Sequence, residues 1–344
     1  MRWNRNGETC VGGIRRLTAV LLAGLCLTAA AGCSGEVYDP TAGSLSIEEG
    51  SGRWEIPTEA PTGHILEIPA GDPFADAPQV LRADFLNTGK SDAILLRFRE
   101  GSSEYVLLVD TGESDDYAAI RDKLTAYGIT EIDCLIISHF DKDHIGSASQ
   151  ILQDYSVGTV YMPDYVRDSV LYRRMMSTLE VLPRVAVERL SAGREVVIPL
   201  AGGSVRINST DLYQAGLILG SDDGHAAEEN NYSLMTTVEL GEISLLLAGD
   251  AEQDRLAEFL ASTGGGASYD LIKIPHHGSY DKALGDLLRG SAGLRYCVVH
   301  ADSASEVEAG LVTAMRSVGS AAYYTYDGDI FFATDGVSMT VEQR

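Results

Sequence analysis

The chain has 344 residues with 45% apolar composition, which suits a globular protein of one large domain or two small ones and allows a sizeable core. It carries 50 acidic against 26 basic residues, a formal charge of −24. Such a body repels polyanions at long range, which argues against tight non-specific binding of nucleic acid through a basic face, although a local site can still handle one phosphate.

The first segment is of a different kind. Arg2, Arg5, Arg15 and Arg16 precede the apolar run "LTAVLLAGLCLTAAAGC", which ends in small residues before Cys33. This is the pattern of a secretory signal peptide over residues 1–32, and "AAGC" is that of a bacterial lipoprotein whose Cys33 is acylated. The expected location is therefore extracytoplasmic, with the chain lipid-anchored to a bacterial cell membrane. Removing residues 1–32 takes away four Arg and one Glu, leaving 22 basic and 49 acidic residues and a charge of −27. Cys134 and Cys297 then remain besides Cys33, both in apolar strand-like runs, and read as buried free thiols.

Residues 33–80 are rich in Gly, Pro, Ser, Thr, Asp and Glu without a sustained period, and read as a flexible tether. A single domain is expected over residues 81–344. It opens with strands "LRADFLNTG", "DAILLRFRE" and "YVLLVDTG" and helix "SDDYAAIRDKLTAYGI". Strand "EIDCLIIS", helix "IGSASQILQDY", strand "GTVYMP" and a long helix through "DYVRDSVLYRRMMSTLEVL" follow. The second half reads as strands "REVVIPL", "GSVRINS", "YSLMTTVEL" and "ISLLLAGD", then helix "AEQDRLAEFLAST", strand "YDLIKIP", helix "DKALGDLLR", strand "RYCVVH", helix "SEVEAGLVTAMRSVG" and three closing strands. Strands alternating with helices in this way favour a layered α/β body.

Three of the strand ends carry ligand-type residues. "ISHFDKDHIGS" places His139, Asp141, Asp143 and His144 in the loop after one strand, "LLLAGD" ends another with Asp250, and "IPHHGS" follows a third with His276 and His277. Layered α/β folds build sites at such positions. Imidazole nitrogens with carboxylate oxygens suit a borderline cation such as Zn²⁺ or Mn²⁺, singly or as a close pair. Taken alone, Asp250 also reads as a helix N-cap and the adjacent histidines as a solvated loop. "VDTGES" has the look of an aspartic-protease loop, but that enzyme needs a second Asp-Thr/Ser-Gly, which the chain lacks.

In their order and spacing, "SHFDKDHIG", "LLLAGD" and "IPHHGS" resemble the metallo-β-lactamase superfamily, most of all the hydrolase domain of the ComEC competence protein and its free-standing relatives. "FLNTGKSDAILLRF", "YVLLVDTG", "NNYSLMTTVELGEISLLLAGD" and "YYTYDGDIFF" extend the likeness over about 260 residues. The resemblance implies a four-layer αββα sandwich with one or two divalent metal ions at one edge of its sheets. It assigns His139, Asp141, Asp143, His144, Asp250 and His276 or His277 as metal ligands, and Asp110 as the acid supporting the loop from behind. Asp143, Asp250 and His277 are the residues implied for catalysis. The expected reaction is hydrolysis by a metal-activated water, on a small-molecule or polymer phosphodiester, with nucleic acid disfavoured by the acidic charge. Amide or ester hydrolysis and a non-catalytic accessory lipoprotein are the alternatives.

Two departures bear on this reading. The histidine that many members carry before the "GD" acid is absent where Glu229, Asn230 and Asn231 stand, with His225 or Asn231 as candidates to complete the site. The late Tyr-Gly-His-Pro element of ComEC-like domains is also missing, leaving His300 as a weak stand-in.

Overall fold

The computed structural model describes residues 72–214, 216–220, 226–264 and 268–344. The signal peptide, Cys33, the tether up to residue 71 and His225 lie outside the described residues. In chain order the elements are β1 (Gln79–Phe85), β2 (Ile94–Glu100), β3 (Ser103–Val109), α1 (Tyr117–Ala126), β4 (Glu131–Ile136), α2 (Lys142–Ile145), α3 (Ala148–Asp154), β5 (Ser156–Pro163), β6 (Val166–Arg167), α4 (Val170–Glu180) and β7 (Ala186–Leu190). Next come β8 (Glu195–Leu200), β9 (Gly203–Asn208), β10 (Ile218–Leu219), α5 (Ala226–Asn230), β11 (Met235–Leu240), β12 (Ile243–Leu247), α6 (Gln253–Ser262) and β13 (Leu271–Lys273). The chain closes with α7 (Lys282–Gly290), β14 (Tyr296–Val299), α8 (Ala309–Val318), β15 (Ala321–Tyr324), β16 (Ile330–Thr334) and β17 (Met339–Gln343).

Two large sheets result, ordered β17-β16-β1-β2-β3-β4-β5-β7 and β15-β14-β13-β12-β11-β9-β8, with β6 and β10 forming a short parallel ribbon. Successive side chains of a strand point to opposite faces, so a strand covered on both sides must be apolar throughout. Leu107 and Leu108 of β3 show the consequence. Leu107 joins Leu96, Ile136, Val238, Leu245 and Val298 in the core between the sheets. Leu108 joins Ile120, Leu124, Ile151 and Met175 beneath the helices of the first sheet. On the far side, Leu246 and Ile272 pack with Leu256, Leu284, Leu287 and Leu311. Each such fully buried side chain contributes about 1.5–3 kcal/mol, and the result is four layers in the order helix, sheet, sheet, helix.

The strand polarity sets where the site forms. β3, β4 and β5 pair in parallel, as do β12, β13 and β14. Loops leaving the C-terminal ends of neighbouring parallel strands therefore emerge side by side at one edge of each sheet.

Several boundaries differ from the sequence expectation. Residues 72–80, read as the end of the tether, are packed on the domain: Phe74 is buried, Arg99 donates to the carbonyls of Phe74 (2.9 Å) and Ala77 (3.2 Å), and Arg82 pairs with Asp72. The helix expected from Asp164 starts at Val170, because Ser169 caps it by accepting from Tyr172 N at 3.2 Å. That leaves Val166–Arg167 free to pair with Ile218–Leu219. β7 was not expected; it is an edge strand whose Glu188 and Arg189 interrupt any apolar run. Cys134 and Cys297 are free and buried, and burial pushes both thiols up to about 11. Among the described residues, no helix is long and apolar enough to cross a membrane.

Candidate metal centre

The loop after β4 is held from behind by one acid. Asp110 follows β3 with a left-handed backbone (φ 59°), and its carboxylate accepts from Ser138 N (2.8 Å) and Ser138 Oγ (2.7 Å). The same Oδ2 lies 2.8 Å from His144 Nδ1. The contact places a proton on Nδ1 and leaves Nε2 facing the opposite way, as a metal-ligating imidazole requires. α2, a single turn, carries Asp143 and His144 and ends at Gly146. Gly146 packs so close to Glu113 that an added Cβ would lie 2.4 Å from its carbonyl carbon.

The second sheet supplies the other side. Asp250 follows β12 after Gly249, whose φ of 54° suits a residue without Cβ. His277 follows β13 and is itself at φ 53°, a strain of the kind that collects at functional sites.

These elements bring four donors together. His277 Nε2 lies 3.0 Å from Asp250 Oδ2 and 3.3 Å from Asp143 Oδ2, and His144 Nε2 lies 3.3 Å from Asp250 Oδ2. Each residue of the group Asp143, His144, Asp250 and His277 offers an atom within 4.8 Å of the other three. Metal–ligand bonds of about 2.0–2.1 Å at tetrahedral angles require ligand atoms about 3.3 Å apart, so the observed spacing fits a bound divalent cation. Among the described residues the buried atoms His144 Nε2 and His277 Nε2 have no hydrogen-bond partner, which a cation would remedy. The His/Asp group is thus compatible with divalent metal binding.

The electrostatics agree. Burial disfavours the charged form of every member, yet the mutual attraction outweighs it. His277 is held up to about 9 by Asp250 and Asp143, and His144 is raised well above the usual range by Asp250 and Asp110. Asp250 is depressed well below the carboxylate range by His277 and His144, and Asp143 is depressed by His277 and His144.

His139 and Asp141 stand beside this group, with His139 Nε2 3.7 Å from Asp141 Oδ2. His276, expected as an alternative ligand, does not join: its Nδ1 is 3.0 Å from Glu252 Oε1, its Nε2 is 3.4 Å from Asn230 Nδ2, and its side chain is 31% exposed. The 3₁₀ turn at His276–Gly278 sends the two rings in different directions, and His277 is the one turned inward. Asn231 caps the start of α6, its Oδ1 accepting from Arg255 N at 2.9 Å, and so does not complete the centre. His300 is fully buried behind it, Nδ1 3.2 Å from Asp92 Oδ1.

Four residues here were not read from the sequence as part of the site, Glu229 having been noted only as standing where a histidine is absent. Asp92 pairs with Lys273, both fully buried, and Lys273 Nζ also donates to Gly249 O at 2.9 Å and lies 3.7 Å from Asp250 Oδ1. Against the cost of burial, Lys273 and His300 depress Asp92, while Asp92 and Asp250 raise Lys273. A lysine inside the apolar strand "DLIKIP" was the available signal. The other two are Glu229 and Arg167, whose Nε lies 3.1 Å from Glu229 Oε2. Burial and the neighbouring Asp141 push Glu229 up to about 7.

The family model described as "Metallo-beta-lactamase superfamily" matches residues 86–290. ComE operon protein 3 of Bacillus subtilis (strain 168) is 26% identical over 213 residues, covering 57% of this chain and 25% of that protein. The chain thus spans about a quarter of that relative's length. Among solved structures, the metallo-beta-lactamase fold protein YhfI from Bacillus subtilis has a TM-score of 0.44 at 14% identity, with 71% of this chain and 95% of that chain covered. CmlA, a diiron beta-hydroxylase from Streptomyces venezuelae, has a TM-score of 0.41 at 14% identity, with 77% and 54% covered. With three-fifths of its length matched by the family model and its strands arranged in the αββα layers, the chain belongs to the metallo-beta-lactamase superfamily.

Proposed function

We propose that the chain is a metal-dependent hydrolase of phosphodiesters, exported and held at the membrane surface through an acylated Cys33. The observation that carries the reading is the buried group of Asp143, His144, Asp250 and His277 at ligand spacing. These four residues would hold Zn²⁺ or Mn²⁺. When bound, such a cation supplies a nucleophilic water near neutral pH and neutralises charge on the attacked phosphoryl oxygen.

The chain's own residues account for the rest. Asp110 and Ser138 orient His144 and the loop, and Lys273 sets the position of Asp250 through Gly249 O and the Asp250 carboxylate. Protonation of the leaving oxygen falls to a histidine of the 276–277 pair. His276 Nδ1 is braced by Glu252, and its ring lines a neighbouring cleft of about 240 Å³ with Pro275, Ser279, Tyr280 and Asp281. The net charge of −24 disfavours long duplex DNA and favours small, neutral or zwitterionic phosphodiesters.

Bis-p-nitrophenyl phosphate and a chromogenic cephalosporin, offered to the Zn²⁺- and Mn²⁺-loaded protein, test the substrate class. Turnover of the phosphodiester is expected. Turnover of the cephalosporin alone would move the assignment to amide hydrolysis, and no turnover of either would favour an accessory lipoprotein. Membrane fractionation of Cys33→Ser against the unaltered chain tests the anchor, with release from the membrane expected.

A further inference from the structure

Ala251 and Glu252, which follow Asp250, and His276, which precedes His277, line one cleft of about 240 Å³ together with Tyr280 and Asp281. Pockets that enclose a whole drug-sized ligand are larger, about 300–1,000 Å³. This one therefore suits a single arm of a substrate.

Its charge is negative whatever the state of His276. Two carboxylates line it, and among the described residues of its lining there is no lysine or arginine. Glu252 Oε1 lies 3.0 Å from His276 Nδ1 and accepts from Asn230 Nδ2 at 2.9 Å. Asn230 is itself buried, and among the described residues its Oδ1 has no hydrogen-bond partner. Asp281 caps α7, accepting from Leu284 N at 2.8 Å, so the helix it starts fixes its carboxylate in place. Two carboxylates and an open amide oxygen beside them, against one imidazole, make a set of acceptors that a cationic group would satisfy.

The aromatic member of the lining is seated by the two helices around it. An added Cβ on Gly285 of α7 would lie 2.6 Å from Tyr280 Oη, and one on Gly310 of α8 would lie 2.7 Å from Tyr280 Cδ1. Glycine inside a helix lowers its stability relative to alanine, so both positions make room for this ring against local preference. The hydroxyl end of Tyr280 faces Arg289, whose charge is taken up by Asp286 at 2.6 Å.

We propose, on the basis of the phosphodiesterase function proposed above, that this cleft is the subsite for an ammonium-bearing arm of the substrate. Tyr280 and Asp281 are its specificity-determining residues, and Glu252 shares the charge. The phosphoryl group would lie at the metal centre and the cationic arm in the cleft beside it, which makes the substrate a zwitterion. An aromatic ring flanked by carboxylates attracts an ammonium group, quaternary ones included, through the ring quadrupole and through charge.

The test uses two p-nitrophenyl phosphodiesters alike except in the second arm, offered to the Zn²⁺- or Mn²⁺-loaded protein. That arm is trimethylammonioethyl in one and its uncharged carbon isostere, dimethylbutyl, in the other. The unaltered protein should show a kcat/KM roughly tenfold or more higher for the cationic ester, mainly through KM. Asp281→Asn, which keeps a side-chain oxygen for Leu284 N, and Tyr280→Leu should each reduce that preference to about threefold or less. The preference is a ratio within one protein, so a variant that is partly unfolded still reports it. Equal kcat/KM for the two esters, or the full preference retained in Asp281→Asn, would overturn the subsite. Binding of benzyltrimethylammonium to the metal-free protein, followed by ligand-observed NMR at physiological salt, is measured alongside. Saturable binding that Asp281→Asn weakens is expected. Turnover of neither ester would overturn the phosphodiesterase function; the subsite would then be upheld by that binding and overturned by its absence.

Discussion

His277 Nε2 and Asp250 Oδ2 lie 3.0 Å apart, although the two residues leave the ends of different, parallel-paired strands. The contact joins a raised imidazole to a depressed carboxylate, and it ties the stability of the metal-free domain to pH. An imidazole has an unfolded pKa near 6.5, whereas that of His277 is held at about 9 in the fold. Its contribution is complete below pH ~6.5 and is lost as the pH rises through ~9. Asp250 and Asp143 are depressed instead, so their contribution is present above an unfolded pKa of ~4 and is lost on acidification below it. Thermal melts of the chelator-treated protein should therefore peak near pH 5–6.5 and fall on both sides. A melting temperature that climbs from pH 6.5 to 9 would contradict the geometry of the pair.

Cation binding must displace those same protons. Calorimetry of Zn²⁺ binding at pH 7 in buffers of different ionisation enthalpy should show net proton release from His144 and His277, and affinity should rise with pH. Binding without proton release would place the ion elsewhere.

Asp110 contributes no donor to the four-residue group, yet its carboxylate bonds Ser138 N, Ser138 Oγ and His144 Nδ1. Asp110→Ala should lower metal affinity about 10–100-fold, the usual effect of losing an outer partner. Asp110→Asn, which keeps two of the three contacts, should lose less. Equal affinity in all three proteins, measured by competition with a chromophoric chelator, would deny Asp110 this role.

Lys273 and Asp92 form a fully buried ion pair beneath the centre. Removing one partner leaves a bare charge, so Lys273→Met should cost about 3–5 kcal/mol in denaturant unfolding. Lys273→Met with Asp92→Asn should recover much of that loss. A double variant no more stable than the single one would show that Lys273 acts through Gly249 O and Asp250 rather than through Asp92.

The readable parts of this protein were those that repeat. Apolar runs such as "YVLLV" and "ISLLLA" announce strands covered on both faces, and three strand ends carry His or Asp, so the layers and most of the centre could be drawn from the chain alone. Arg167, and the burial of Glu229 beside it, escaped because α5 and the two-residue strands β6 and β10 are too short to show any period. The choice between His276 and His277 depends on a 3₁₀ turn with both residues at positive φ, a backbone feature that identical neighbours do not encode. Phe74 and Asp72 belong to the domain through contacts with Arg99 and Arg82, which no local pattern around residue 72 reveals.

The central claim is that Asp143, His144, Asp250 and His277 hold a cation on which hydrolysis depends. Metal content and bis-p-nitrophenyl phosphate turnover, measured on the same samples of unaltered protein and Asp143→Ala/His144→Ala, test it most directly. Bound metal and turnover in the unaltered protein, both lost in the folded variant, is the predicted result. An unaltered protein that stays metal-free and inactive after reconstitution with Zn²⁺ or Mn²⁺, or a variant that keeps both properties, would contradict the account.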